Sequence, residues 1–286
     1  MNRRIATVLG LLSLGLLLPV GGASAATAPP EASPLSRAHA HNDYEHPRPL
    51  LDALDQGFTS VEADVWLVGD ELLVGHDLTD LVPGRTLEKL YLDPLADRVR
   101  AHGGDVYAAG GEPLQLLVDI KNTGAATYSR LDQVLRRYRP ILTQWTGGAV
   151  VPRAVSVVVS GDRPRAVMAG QQVRLAAYDG RLTDLGSGAP ASFVPLLSSN
   201  WNATFTWQGV GEMPADQRAT LRRIVDTAHA DGQRVRFWAT PDLPDAAREA
   251  VWSELLAADV DHINTDDLSG LRDFLLLHDA DARAAA

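Results

Sequence analysis

FTSVEADVWLV, residues 58–68, decides how the chain folds. It is a short run of apolar and β-branched residues, broken in its middle by Glu62 and Asp64. A strand with one wet face alternates apolar and polar residues. This one is apolar almost throughout, as a parallel strand buried on both faces is. The same habit recurs along the chain in LQLLVDIK (114–121), AVSVVVS (154–160), VRLAAYD (173–179), SFVPLLSSNW (192–201), RVRFWAT (234–240) and VDHINTD (260–266). AHAHNDY (38–44) supplies a first strand, and ELLVGHD (71–77) a short hairpin arm that extends the second.

Between these runs lie helical patterns: PLLDALDQG (49–57), TLEKLYLDPLADRVRAHGG (86–104), YSRLDQVLRRYRPILTQW (128–145), RPRAVMAG (163–170), ADQRATLRRIVDTAHADG (215–232), DAAREAVWSELLAAD (245–259) and LSGLRDFLLLHDA (268–280). Several end in glycine, a residue that closes helices readily. Only GRLTDLGSGAPA (180–191), between the fifth and sixth strands, lacks a convincing helix. About eight strand–helix units in a domain of this size predict an α/β fold of the (β/α)8 TIM-barrel type, as a single domain.

The chain has 286 residues and carries 26 Lys and Arg against 36 Asp and Glu, a formal charge of −10. That balance argues against a nucleic-acid partner, since neutralising phosphates needs a basic surface. MNRR, the apolar IATVLGLLSLGLLLPV and Ala23-Ser24-Ala25 read as a secretory signal peptide over residues 1–25, cleaved near Ala25. The expectation is therefore a secreted protein, extracellular or periplasmic, with no stable membrane anchor. Residues 26–36 read as a linker and 37–286 as the barrel. There is no cysteine, hence no disulfide and no lipoprotein anchor. A monomer is expected.

Active sites of such barrels sit at the C-terminal ends of the strands. The polar residues that interrupt or end the apolar runs there are His39 and His41 on the first strand, Glu62 and Asp64 on the second, and Asp119 and Lys121 on the third. Each pair is spaced by two, which puts both side chains on one face of a strand. Three carboxylates converging on one mouth repel each other, and a divalent cation removes the conflict. An all-oxygen set favours Mg²⁺ or Ca²⁺ over zinc. The competing reading is plain ion pairing of the acids with Lys or Arg at the barrel rim. His76 ends the hairpin arm beside the acids, with Asp77 next to it.

The ordered set His41, Glu62-x-Asp64, His76-Asp77 and Asp119-x-Lys121 resembles the phospholipase C-like phosphodiesterase superfamily, which includes glycerophosphodiester phosphodiesterases and spider-type sphingomyelinases D. Trp238 in RFWAT and the ending Asn264-Thr265-Asp266 are similar to that family's seventh and eighth strands. The run HNDYEHPRPLLDAL…GFTSVEADVWL…ELLVGHD most resembles the altered inheritance of mitochondria protein 6-like branch. The resemblance spans nearly all of the chain beyond the linker. It implies that Glu62, Asp64 and Asp119 bind a divalent metal, that His41 and His76 form an acid/base pair, and that Lys121 helps hold phosphate. It further implies hydrolysis of a small-molecule or lipid phosphodiester, often by attack of the substrate's own neighbouring hydroxyl. Glycerophosphodiesterases usually begin with His-Arg-Gly. Here His41 is followed by Asn42-Asp43, a departure that bears on the substrate, and the Asn42 amide is a candidate for a metal or phosphate oxygen. Trp238 is expected as a pocket wall.

Two other classes compete. His39-x-His41 is how amidohydrolase-type barrels begin, but those need metal histidines ending strands five and six, where VRLAAYD and FVPLLSSNW hold none. A non-catalytic barrel serving as a binding module is the other; retention of two histidines, three acids and a lysine argues against it.

Overall fold

The computed structural model describes residues 31–285, which belong to one compact unit. The expected signal peptide and most of the expected linker lie outside the described residues. Eight parallel strands carry the fold: β1 (Leu35–Ala40), β2 (Phe58–Val68), β3 (Leu114–Ile120), β4 (Val155–Gly161), β5 (Ala177–Gly180), β6 (Leu196–Asn200), β7 (Arg234–Trp238) and β8 (His262–Thr265). They pair in sequence order, and β1 pairs with both β2 and β8, so the sheet closes on itself as a (β/α)8 barrel. Helices follow most strands, among them Gly124–Leu135, Ala215–Ala230, Ala246–Ala257 and Leu268–His278. After β5 there is only the short turn Leu182–Asp184, as the sequence suggested. No helix among the described residues is long and apolar enough to cross a membrane.

Burial follows from the strand period. Outward side chains such as Val61, Val118 and Val159 pack under the helices in one continuous core. The inward side chains divide the lumen. Leu117, Val158, Ala177 and Leu196 form a small apolar cluster with Trp145. The inward residues of β1, β2, β7 and β8 are polar: His39, Ser60, Glu62, Arg236, His262 and Asn264 are all buried.

Four expectations change in detail. β1 starts at Leu35, inside the stretch read as linker, and stops at Ala40, so His41 stands past the strand. Asn42 then takes a left-handed conformation with φ 45°, which asparagine tolerates better than most residues. The helix expected over 128–145 ends at Leu135, and Gln144–Thr146 forms a strand instead. VRLAAYD is divided: Val173–Arg174 joins Gln144–Thr146 and Ala149–Val151 in a three-stranded side sheet, while the barrel strand begins at Ala177. Apolar character alone does not distinguish the two, because Leu175 and Ala176, which join them, are buried as well.

Candidate functional site

The length of β2 builds the site. Its first part lies in the barrel. Its last four residues, Val65–Val68, run on as a hairpin with Glu71–Val74. Asp64 stands where barrel turns into hairpin: its carbonyl accepts from Gly75 N–H at 3.2 Å. In register, Asp64 lies beside Asp119 of β3. Adjacent strands thus place two like charges side by side, an arrangement that costs stability unless something positive joins them. A side chain at Gly161 of β4, whose φ is +70°, would strike the Asp119 carboxylate and the Ile120 backbone. Glycine there leaves the acid its room.

The sequence-predicted acids come together. Glu62, Asp64 and Asp119 each offer a carboxylate oxygen within 4.8 Å of the others. Each also has a cationic neighbour. Lys121 Nζ lies 2.8 Å from Asp64 and 3.3 Å from Asp119. Arg236 of β7 donates to Glu62 and, through Nε, to Asn264 Oδ1 at 2.9 Å. Tyr44 O–H lies 2.8 Å from Asp64 Oδ2 and 2.7 Å from Asn42 Oδ1. The rim pairing that competes with a metal is therefore present. It leaves one gap: Asp64 Oδ1 is buried with no hydrogen-bond partner among the described residues. A cation fits that orphaned oxygen, and hard oxygen donors suit Mg²⁺ or Ca²⁺.

Charge is distributed unevenly across the trio. Burial opposes ionisation of Glu62, but Arg236 and the His39 hydrogen bond outweigh it and hold Glu62 below the usual carboxylate range. Asp64 goes the other way. Burial, and then the charge of Glu62, push it up to about 7 despite Lys121. Asp119 is also raised, chiefly by burial. Burial works against charged Lys121, yet Asp64 and Asp119 prevail and raise its pKa.

The histidines separate by role. His39 is fully buried, and burial together with Arg236 lowers its pKa to about 3, so the ring is neutral. Its Nε2 faces Glu62 at 3.3 Å and its Nδ1 faces Ser60 Oγ at 2.7 Å. A carboxylate only accepts, so Nε2 carries the proton and Nδ1 accepts from Ser60. His41 is partly exposed, with Nδ1 2.8 Å from Asp266 Oδ1. By the same logic Nδ1 carries hydrogen, and Nε2 makes no hydrogen bond among the described residues. Burial lowers the His41 pKa, but the Asp266 hydrogen bond and the charge of Glu62 outweigh it and the pKa is raised. His76 is exposed at the rim, next to the Gly75–Asp64 contact, with Nδ1 3.3 Å from Asp77.

The remaining candidates fall around the mouth. Asn42 is held between Tyr44 and Asp266, the latter a long contact of 3.5 Å. Trp238 ends β7 and is 37% exposed, two residues beyond Arg236 and hence on the same face. Asp43 is buried and accepts from Leu50 N–H, so it clamps the entry loop; burial pushes it up to about 7.

Sequence reasoning passed over Arg236, and gave Asp266 and Tyr44 no role at the centre. Arg236 had a usable signal. RVRFW puts an arginine at the middle of a strand whose neighbours are buried, and such a charge needs a buried partner.

Two family models match stretches of the chain. The family described as AIM6-like phosphodiesterase domain matches residues 31–179. The glycerophosphoryl diester phosphodiesterase family matches residues 234–269. The chain is 32% identical over 276 residues to Altered inheritance of mitochondria protein 6 of Eremothecium gossypii, covering 84% of this chain and 69% of that one. A homolog of that protein in Arthroderma benhamiae is 29% identical over 265 residues, 82% of each chain. A glycerophosphoryl diester phosphodiesterase from Parabacteroides distasonis, solved as a crystal structure, is similar with a TM-score of 0.49 and 12% identity, over 87% of this chain and 88% of that one. The relatives overturn the expected secretion: their name ties them to inheritance of mitochondria, a cellular role, and not to export.

Proposed function

This chain belongs to the AIM6-like phosphodiesterase family, and on that premise we propose that it cleaves a phosphodiester at the barrel mouth with the help of a divalent metal ion. The observation that carries the reading is the trio Glu62, Asp64 and Asp119, with carboxylate oxygens within 4.8 Å of one another and, among the described residues, no hydrogen-bond partner for the buried Asp64 Oδ1. Among the described residues, the trio's ion pairs to Lys and Arg are those with Arg236 and Lys121, and Asp266 pairs with His41. An anionic diester would be repelled from such a mouth without further positive charge.

Glu62, Asp64 and Asp119 would hold the ion, Mg²⁺ or Ca²⁺. When bound, it supplies Lewis-acid charge for a phosphate oxygen. Lys121, now shared between Asp64 and Asp119, becomes free to meet a second phosphate oxygen once those acids have another partner. His41 has the proton chemistry that displacement needs. Asp266 fixes its tautomer, leaving Nε2 to take the proton of an attacking hydroxyl, and Asp266 stabilises the imidazolium that results. His76, on the exposed rim, would donate to the leaving oxygen. Trp238 and Asn42 stand where the rest of the substrate would rest, a glycerophosphodiester or phospholipid-type diester.

The test is hydrolysis of bis(4-nitrophenyl) phosphate with added Mg²⁺ or Ca²⁺. His41→Ala and His76→Ala are each expected to lose about 10²–10⁴-fold in rate, the usual worth of a positioned acid or base, while thermal unfolding stays near wild type. Asp266→Asn should lose less. A fully active His41→Ala variant would falsify the assignment.

A further inference from the structure

The barrel has a cavity at the end opposite the acidic trio. It measures about 550 Å³ and lies at the N-terminal ends of the strands, where Arg37, Thr59, Ser156, Arg234 and His262 fall within the first three residues of β1, β2, β4, β7 and β8. We propose that this cavity binds a small monocarboxylate with an apolar body, the carboxylate on Arg234 and His262 and the body along Trp145 and Val150.

Arg234 supplies the first reason. Its Nη2 donates to Gln115 Oε1 at 2.8 Å, and among the described residues it makes no ion pair. Gln115 in turn donates to Ser60, which leads to His39 and Glu62, so the inner side of Arg234 is committed to the lumen. An unpaired guanidinium part-way out of water is costly, and an anion removes the cost. The acids nearby are engaged elsewhere. Asp261 accepts from Val235 N–H at 2.8 Å and meets His229 at 2.9 Å. Asp259 pairs with Arg37 at 2.6 Å. Glu112 is exposed at the rim.

His262 supplies the second. It is 2% exposed, lines the cavity, and both of its ring nitrogens lack a hydrogen-bond partner among the described residues. Burial, with Arg234 next, holds its pKa well below the ordinary value. The ring is therefore neutral and has one N–H to give, which a carboxylate oxygen accepts.

Charge and shape fix the ligand class. Glu112, Asp259 and Asp261 also line the cavity, so a single negative charge is tolerated where a phosphate dianion is repelled. A carboxylate matches the guanidinium fork. Trp145 belongs to the apolar lumen cluster and lines the cavity together with Val150, which is 44% exposed. The volume is that of an ordinary small-molecule site.

The experiment is calorimetry on the full chain with octanoate, octanol and inorganic phosphate, alongside tryptophan fluorescence. Octanoate is expected to bind one to one, at least tenfold tighter than octanol or phosphate. Arg234→Gln and Val150→Trp should each weaken it at least tenfold, and His41→Ala should leave it unchanged because the mouth is not involved. Val150 is a surface position, so its variant decides the matter if Arg234→Gln fails to fold. The proposal is overturned by absence of saturable octanoate binding, by equal affinity for octanoate and octanol, by wild-type binding in the folded variants, or by competition from a phosphodiester.

Discussion

Glu62 and Asp64 are two residues apart on one strand, face the same lumen, and are both buried, yet they sit in opposite electrostatic states. Glu62 belongs to a saturated half of the mouth. Arg236, His39 and, through His39, Ser60 meet it, and it stays ionised. Asp64 belongs to a half in which two acids share one cation. One lysine serves it and Asp119, one of its oxygens is unbonded, and its pKa is pushed up to about 7. In the saturated half, Arg236 and His39 keep Glu62 ionised and fixed in place beside the other two acids. The undersupplied half is where an added cation gains most.

That contrast can be broken most forcefully at Arg236. Arg236→Met leaves Glu62 buried without its partner, and unpairing a buried ion pair costs about 3–5 kcal/mol. Urea unfolding should register that loss; a variant as stable as wild type would mean that Glu62 is not dependent on Arg236. Metal binding probes the other half. An ion held there would need Asp64 as carboxylate, and burial and the charge of Glu62 push the Asp64 pKa up to about 7. Affinity for Mg²⁺ by calorimetry should therefore rise with pH through 7 and level off above it, by up to about tenfold per pH unit. A flat profile between pH 6 and 8 removes Asp64 from the ligand set. The smallest effect is expected from Lys121→Met. Lys121 is partly exposed and Asp64 can take up a proton in its absence, so the stability loss should be about 1 kcal/mol or less. A loss as large as that of Arg236→Met would erase the distinction between the halves.

Much of this was legible in the chain, for physical reasons. FTSVEADVWLV was read to the residue because a β-branched apolar run with two acids at spacing two has few other solutions. Its partner LQLLVDIK carried the second pair in the same way. The closure of the barrel followed from the number of such runs. Arg236 stayed hidden because it meets Glu62 174 residues away in sequence, and strand period tells which face a residue takes but not whom it meets. Asp266 was visible as a strand ending, but its bond to His41 spans the seam where β8 meets β1. VRLAAYD was misread as one strand, since Leu175 and Ala176 are buried whether the chain belongs to barrel or side sheet. The leader-like composition of residues 1–25 led to secretion, and the relatives named for mitochondrial inheritance correct it.

The most direct test of the central claim is Mg²⁺-dependent turnover of bis(4-nitrophenyl) phosphate by the wild type and by Asp64→Asn, measured before and after chelation. Saturable, chelator-sensitive turnover in the wild type that is lost in Asp64→Asn is the result predicted. Turnover that survives both chelation and the substitution, or no turnover of any diester with metal supplied, would contradict it.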